Sequence, residues 1–295
     1  MLKTNKEKVI IMGAQGTVAS AKSRDRHHVD ASGNPFLVPG VGGISYNVKV
    51  GHPAFGWAGD HFEPCVSTIL DEARRFDQPN AGYHFFSCVG NEARIISGDA
   101  KGDKGVVTGH HGGREHVMVD FSDETLEKLT FDDKILVRGY GQGLRLLDYP
   151  DIHLYNLDPK LLEQLGIVER KKHIEVPVAA VVPGELMGSG IGKVTIGQGD
   201  YDIMTTDREL IKKLDLHKLR LGDFVCIQNH DNVYGRSYRE GAVTIGIIVH
   251  GDANLAGHGP GVTTLITSAK PIIKPVMKKK ANIADILKIG IERGK

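Results

Sequence analysis

The chain carries fourteen histidines, and many of them stand beside Gly, Asp or Glu in stretches whose composition reads as loop. One run is His110-His111-Gly112-Gly113-Arg114-Glu115-His116. A second is Asp60-His61 followed by Glu63, and a third is His250-Gly251-Asp252 with His258. His230-Asp231 follows a strand pattern, and His27-His28 precede Asp30. Neutral imidazole and carboxylate are the ligands of catalytic zinc, manganese or iron. Such sites draw on the ends of several strands, where these clusters fall. No His-Glu-x-x-His and no Cys-x-x-Cys occurs, so the signal is density and not spacing. The expected ligands are His250, Asp252 and His258, joined by His110, His111, Asp60 and His61 from the first part of the chain. Glu63 or Asp231 is the expected general base. A divalent ion held there would polarise a carbonyl or lower the pKa of a bound water. The chemistry expected is that of a hydrolase or lyase acting on a small polar substrate. Two competing expectations stay open. One is a metal-free His/Asp acid–base pair. The other is a non-catalytic small-molecule or anion-binding protein whose histidines only hydrogen-bond their turns.

Other motifs carry less. Gly188-Ser189-Gly190-Ile191-Gly192-Lys193 lacks the leading Gly of a phosphate loop, and Val194 stands where Ser or Thr is needed. Ile10-Ile11-Met12-Gly13-Ala14-Gln15-Gly16 lacks the Gly-x-Gly of a dinucleotide fold. Gly40-Val41-Gly42-Gly43 and Gly257-His258-Gly259-Pro260-Gly261 are dense enough for backbone N–H groups to converge on an anion, and equally suited to tight turns. Cys65, Cys88 and Cys226 read as buried core, although Cys65 lies close to His61. Arg138, Arg145, Arg236 and Arg239 are able to pair with a carboxylate or phosphate.

The elements that must position these residues are mostly strands. Apolar residues alternate through 116–121, 224–230 and 243–250, the pattern of half-buried strands. Helices are expected to be few and short: one capped by Ser122 over 122–129, one from Asp158-Pro159 through Leu165, and one capped by Asp207 to Leu214. Two more are expected, from Ser67 with Ile69, Leu70, Ala73 and Phe76 inward, and over 281–291. The basic, Pro-containing stretch 270–280 reads as an extended linker. The fold class expected is α+β and β-rich, with barrel-like or sandwich sheets carrying short helices.

Composition excludes several classes. Lys plus Arg number 37 against 36 Asp plus Glu, which argues against a nucleic-acid coat or a membrane-surface protein. No run approaches the ~18 apolar residues of a membrane helix. Three widely spaced cysteines and no signal-peptide pattern make a cytoplasmic protein the expectation. Glycine is abundant, 37 of 295 residues, in keeping with many turns.

Two segments look alike, 117–137 and 202–226: each reads as strand, capped helix, Asp-containing turn and strand, preceded by Gly-spaced residues (105–109 and 192–197) expected to form a strand. A weaker pair, 58–69 and 256–265, comes before the first of these segments and after the second. A permuted, pseudo-twofold internal repeat is therefore expected, with a ligand site where the halves meet. The halves are drawn as 1–172 and 173–295, the second ending in the terminal helix, by which the chain would dock on a neighbour in a homo-oligomer.

Several stretches taken together are familiar: Gly56-Trp57-Ala58-Gly59-Asp60-His61-Phe62-Glu63-Pro64, Gly109-His110-His111-Gly112-Gly113, Arg138-Gly139-Tyr140-Gly141-Gln142-Gly143, and His250-Gly251-Asp252 running to Gly257-His258-Gly259-Pro260-Gly261. On these the chain resembles, over nearly its whole length, an uncharacterised prokaryotic family known as a domain of unknown function (DUF4438-like). The resemblance implies no activity, cofactor or catalytic residue. The loop style is also similar to that of the all-β acetamidase and formamidase enzymes, as an analogy only.

Overall fold

The structure is a computed structural model and describes residues 2–22 and 27–295. Its first half is a closed barrel of six strands: β1 (Met12–Val18), β2 (Val66–Ile69), β3 (Glu92–Ile95), β4 (Lys104–His111), β5 (His116–Asp120) and β6 (Lys134–Gly139). Their order around the barrel is β1-β2-β5-β4-β3-β6, with every neighbouring pair antiparallel. Side-chain alternation puts Ala93, Ile95, Ile135 and Val137 inside and leaves Lys134 and Arg138 outside. β5 departs from the half-buried expectation: all five of its residues are buried. Val117 and Val119 fill the barrel, while Met118 packs into the core of the second half.

Nine further strands follow: β7 (His153–Leu154), β8 (Val168–Glu169), β9 (Ile174–Val178), β10 (Ala180–Val182), β11 (Tyr201–Asp202), β12 (Phe224–Asp231), β13 (Ser237–Ile248), β14 (Gly261–Ser268) and β15 (Ile273–Met277). The main sheet runs β10-β12-β13-β14-β11, with β7 also paired to β14. β8, β9 and β15 form a smaller sheet in which β9 and β15 are parallel. Part of the stretch expected as a linker is therefore strand β15. Its Pro275 is tolerated because β15 is an edge strand.

The helices are α1 (Gln78–Phe86), α2 (Asp123–Leu126), α3 (Pro159–Gln164), α4 (Arg208–Lys213) and α5 (Ile283–Leu287). Ser122, Asp158 and Asp207 cap α2, α3 and α4, each accepting a first-turn N–H. The helix expected from Ser67 is overturned. Val66–Ile69 is barrel strand β2, where β-branched residues suit a pleated, buried surface, and Phe76 is 70 % exposed. The helix in this region starts later, at Gln78, with a proline in its first turn. Residues 192–197 form a loop rather than a strand. The C-terminal helix is also shorter than expected. It ends at Lys288, which takes a left-handed φ of 55°, and the tail docks on its own chain through buried Ile283, Ala284 and Ile289.

The two halves meet at β4 and β14. Gly109 abuts Val249, where a Cβ would lie 2.1 Å from Val249 Cγ1. The backbone of His110 exchanges hydrogen bonds with the Thr263 hydroxyl, at 3.2 and 3.0 Å. This seam sets the turn end of the β4–β5 hairpin against the ends of β11, β13 and β14. No helix among the described residues is long and apolar enough to cross a membrane.

Candidate metal centre

Four imidazoles and two carboxylates converge at this seam. His111 ends β4, His250 follows β13, His258 precedes β14, and Asp200 and Asp202 flank Tyr201 at β11. Residues two apart on an extended chain share a face, so both carboxylates turn one way and the buried Tyr201 the other. His61 comes from the loop before β2. That loop is stitched to the segment after β13: His61 N–H donates to Asp252 C=O (3.0 Å), Gly251 N–H to Phe62 C=O (2.9 Å), and Asn254 N–H to the Asp60 carboxylate (2.8 Å). These bonds hold His61 at a φ of 54°, a conformation that non-glycine residues seldom adopt.

Three of the rings have a fixed tautomer. His61 Nδ1 lies 2.9 Å from Asp60 Oδ2, His250 Nδ1 lies 2.8 Å from the Gly251 carbonyl, and His111 Nδ1 bonds Glu63 Oε1. Each partner only accepts, so Nδ1 carries a proton and Nε2 is the nitrogen turned toward the cluster. That arrangement is the one by which outer carboxylates and carbonyls orient metal-binding histidines. The ligand-capable atoms form two sets, His61/Asp202/His258 and His111/Asp200/His250, with the atoms of each set within 4.8 Å of one another. His250 Nε2 lies 3.0 Å from Asp200 Oδ2, yet both atoms are buried and neither makes a hydrogen bond. Asp200 Oδ1 accepts from Gly112 N–H at 2.7 Å.

Charge at the site is strongly coupled. Burial works against the Glu63 carboxylate, but His116 and His111 beside it hold its pKa well below the usual range. Gly42 N–H (2.7 Å) and the Ser67 hydroxyl (2.5 Å) also donate to it. Burial likewise opposes the charge of His116, yet Glu63 and then Glu72 push its pKa up to about 9. Asp202 is held well below the carboxylate range against its burial by His250, His258 and His61. His250 is raised well above its ordinary value, against complete burial, by Asp200 and Asp202.

Of the residues expected as ligands, the structure gathers His61, His111, His250 and His258 into this cluster. Asp60 stands behind His61. Asp252 meets Thr205 and Arg208 instead. His110 faces away, as neighbours on a strand must: its Nε2 donates to Ser87 C=O at 2.6 Å and its ring packs on His84. Of the two expected bases, Glu63 lies behind His111 and His116, and Asp231 pairs with Arg239 at 3.0 Å in the β12–β13 hairpin. In the first Gly loop one backbone N–H, that of Gly42, donates to the Glu63 carboxylate. Sequence reasoning passed over Asp200 and Asp202. Their signal was the Asp-x-Asp spacing on an extended segment beside Gly199.

The cluster floors a cavity of about 550 Å³, lined also by Gly112, Arg114, Ser189, Lys193, Gln198 and Arg236. His250 lies behind the others, fully buried.

Residues 27–163 match the N-terminal domain, and residues 164–287 the C-terminal domain, of the family described as a domain of unknown function (DUF4438). The chain is similar to a solved structure titled "Crystal structure of TM1086", at 47% identity and a TM-score of 0.91, over 96% of this chain and 98% of that one. No curated protein matches it.

Proposed function

The chain belongs to the DUF4438 family of unknown function, and from the geometry of its His/Asp cluster we propose a metal-assisted hydrolase acting on small polar amides or esters. One observation carries this reading: His250 Nε2 and Asp200 Oδ2 are buried, 3.0 Å apart and without a well-formed hydrogen bond, beside His61 and His111, whose Nδ1 atoms are tied down. The two atoms face each other as an ion pair without a well-formed hydrogen bond, an arrangement that places both as ligands of one ion. A shared divalent cation (zinc, manganese or iron) would satisfy both atoms at once. When bound, such an ion supplies Lewis acidity and an acidified water.

The chain's own residues do the rest. Asp60, Glu63 and the Gly251 carbonyl fix the three rings. The cavity volume suits a small molecule. Lys193 and Arg114 on its wall favour a substrate with an anionic end. In hydrolysis, the hydroxyl of water ends on the acyl carbon and its proton on the departing amine or alcohol. The three free, buried cysteines accord with a reducing, cytoplasmic compartment.

The test is a screen of small amides, lactams and esters with metal-loaded and chelated protein. Turnover confined to the loaded form supports the reading. Metal-replete protein that binds such compounds without turning any over would favour a binding protein.

A further inference from the structure

We infer that the site is dinuclear, holding two divalent cations bridged by the Asp202 carboxylate. This rests on the metal-assisted reading above and extends it. The ligand-capable atoms divide into two sets of three, and three protein ligands are what a catalytic divalent site takes from its chain. Asp202 belongs to one set and reaches the other. Its Oδ2 lies 2.9 Å from His258 Nδ1 and 3.7 Å from His61 Nε2. Its Oδ1 lies 3.5 Å from His250 Nε2, which in turn stands 3.0 Å from Asp200 Oδ2. One carboxylate with an oxygen toward each set is the arrangement of a bridging ligand.

Within each set the ligand atoms crowd together. In the first, His61 Nε2 and His258 Nδ1 lie 3.0 Å apart and both face Asp202 Oδ2, so three ligand atoms meet at one point. In the second, His250 Nε2 and Asp200 Oδ2 make no hydrogen bond. The sets adjoin closely: the His111 and His250 rings are 4.1 Å apart, and the His61 and His250 rings 5.2 Å. Two ions at the ~3.5–4 Å separation of two-metal hydrolytic sites fit that proximity. The first set borders the cavity through His61, Asp202 and His258, and the second through His111 and Asp200. Both ions would therefore face the same substrate.

The experiment is a Mn(II) titration of full-length, chelator-stripped protein, with bound metal measured by equilibrium dialysis and the spin state by electron paramagnetic resonance. The expected result is two Mn(II) per chain and the multiline spectrum of a spin-coupled pair. His258→Ala, at a side chain 31% exposed, should keep one Mn(II) and lose the coupling. His111→Ala should do the same from the other set. If His111→Ala does not fold by circular dichroism, the wild-type stoichiometry and His258→Ala still decide. One uncoupled Mn(II) per wild-type chain would overturn the second ion and leave the hydrolase reading standing. Two uncoupled ions would overturn the Asp202 bridge. No bound Mn(II) would remove both.

Discussion

Glu63 determines which nitrogen His111 presents, because an ionised carboxylate accepts the ring's Nδ1 proton. Glu63→Gln keeps the volume and removes the charge. On the ~10–100-fold effect of losing an outer-shell partner, metal affinity should fall by about that factor, which calorimetric titration would read. Its neighbour His116 gives a pH dependence with a definite sign. Its pKa rises on folding from 6.5 to about 9, so its contribution is fully present below the unfolded value and is lost as pH climbs through the folded one. Metal-free protein should therefore lose stability between those values, and His116→Gln should flatten that limb in urea melts at stepped pH. Gly261 offers a third test. A Cβ there would lie 2.0 Å from Asp200 Oδ2 and 2.3 Å from His250 Nε2, so Gly261→Ala should displace both and lower metal uptake. At this scale the sequence displayed the histidines through their number and company. It hid the difference between His110 and His111, which only the facing of β4 decides, and its Asp-x-Asp at 200–202 stood far in sequence from every histidine of the cluster.

Capping residues were the most readable elements, because Ser122, Asp158 and Asp207 act on their own first turns. Asp207→Ala removes one such bond from an exposed position. It should lower stability by about 1 kcal/mol in a denaturant melt and leave metal stoichiometry unchanged. The stretch after Ser67 was misread because its apolar residues fit helical spacing locally, while closure of the barrel, a long-range demand, draws Val66–Ile69 into a strand. The similar segments 117–137 and 202–226 supply comparable elements: β5, α2 and β6 in one, β11, α4 and β12 in the other. The runs β6-β1-β2-β5 and β12-β13-β14-β11 are each antiparallel throughout.

The cluster exists only in the assembled molecule. His61 and His111 come from the barrel half, and Asp200, Asp202, His250 and His258 from the other. A β-rich class follows from alternation and glycine content, whereas the contact of β4 with β14 depends on pairings far apart in the chain. An ion that binds only the folded state stabilises it by about 2.7 kcal/mol at a hundredfold excess over Kd, so chelation should lower the melting temperature of the whole chain. The most direct test is elemental analysis of untagged protein purified without chelator or metal column. The account predicts zinc, manganese or iron in the purified wild-type chain, and a reduced metal content in His250→Ala protein that still folds. No metal in the purified protein, and none regained on dialysis against each candidate ion, would contradict it.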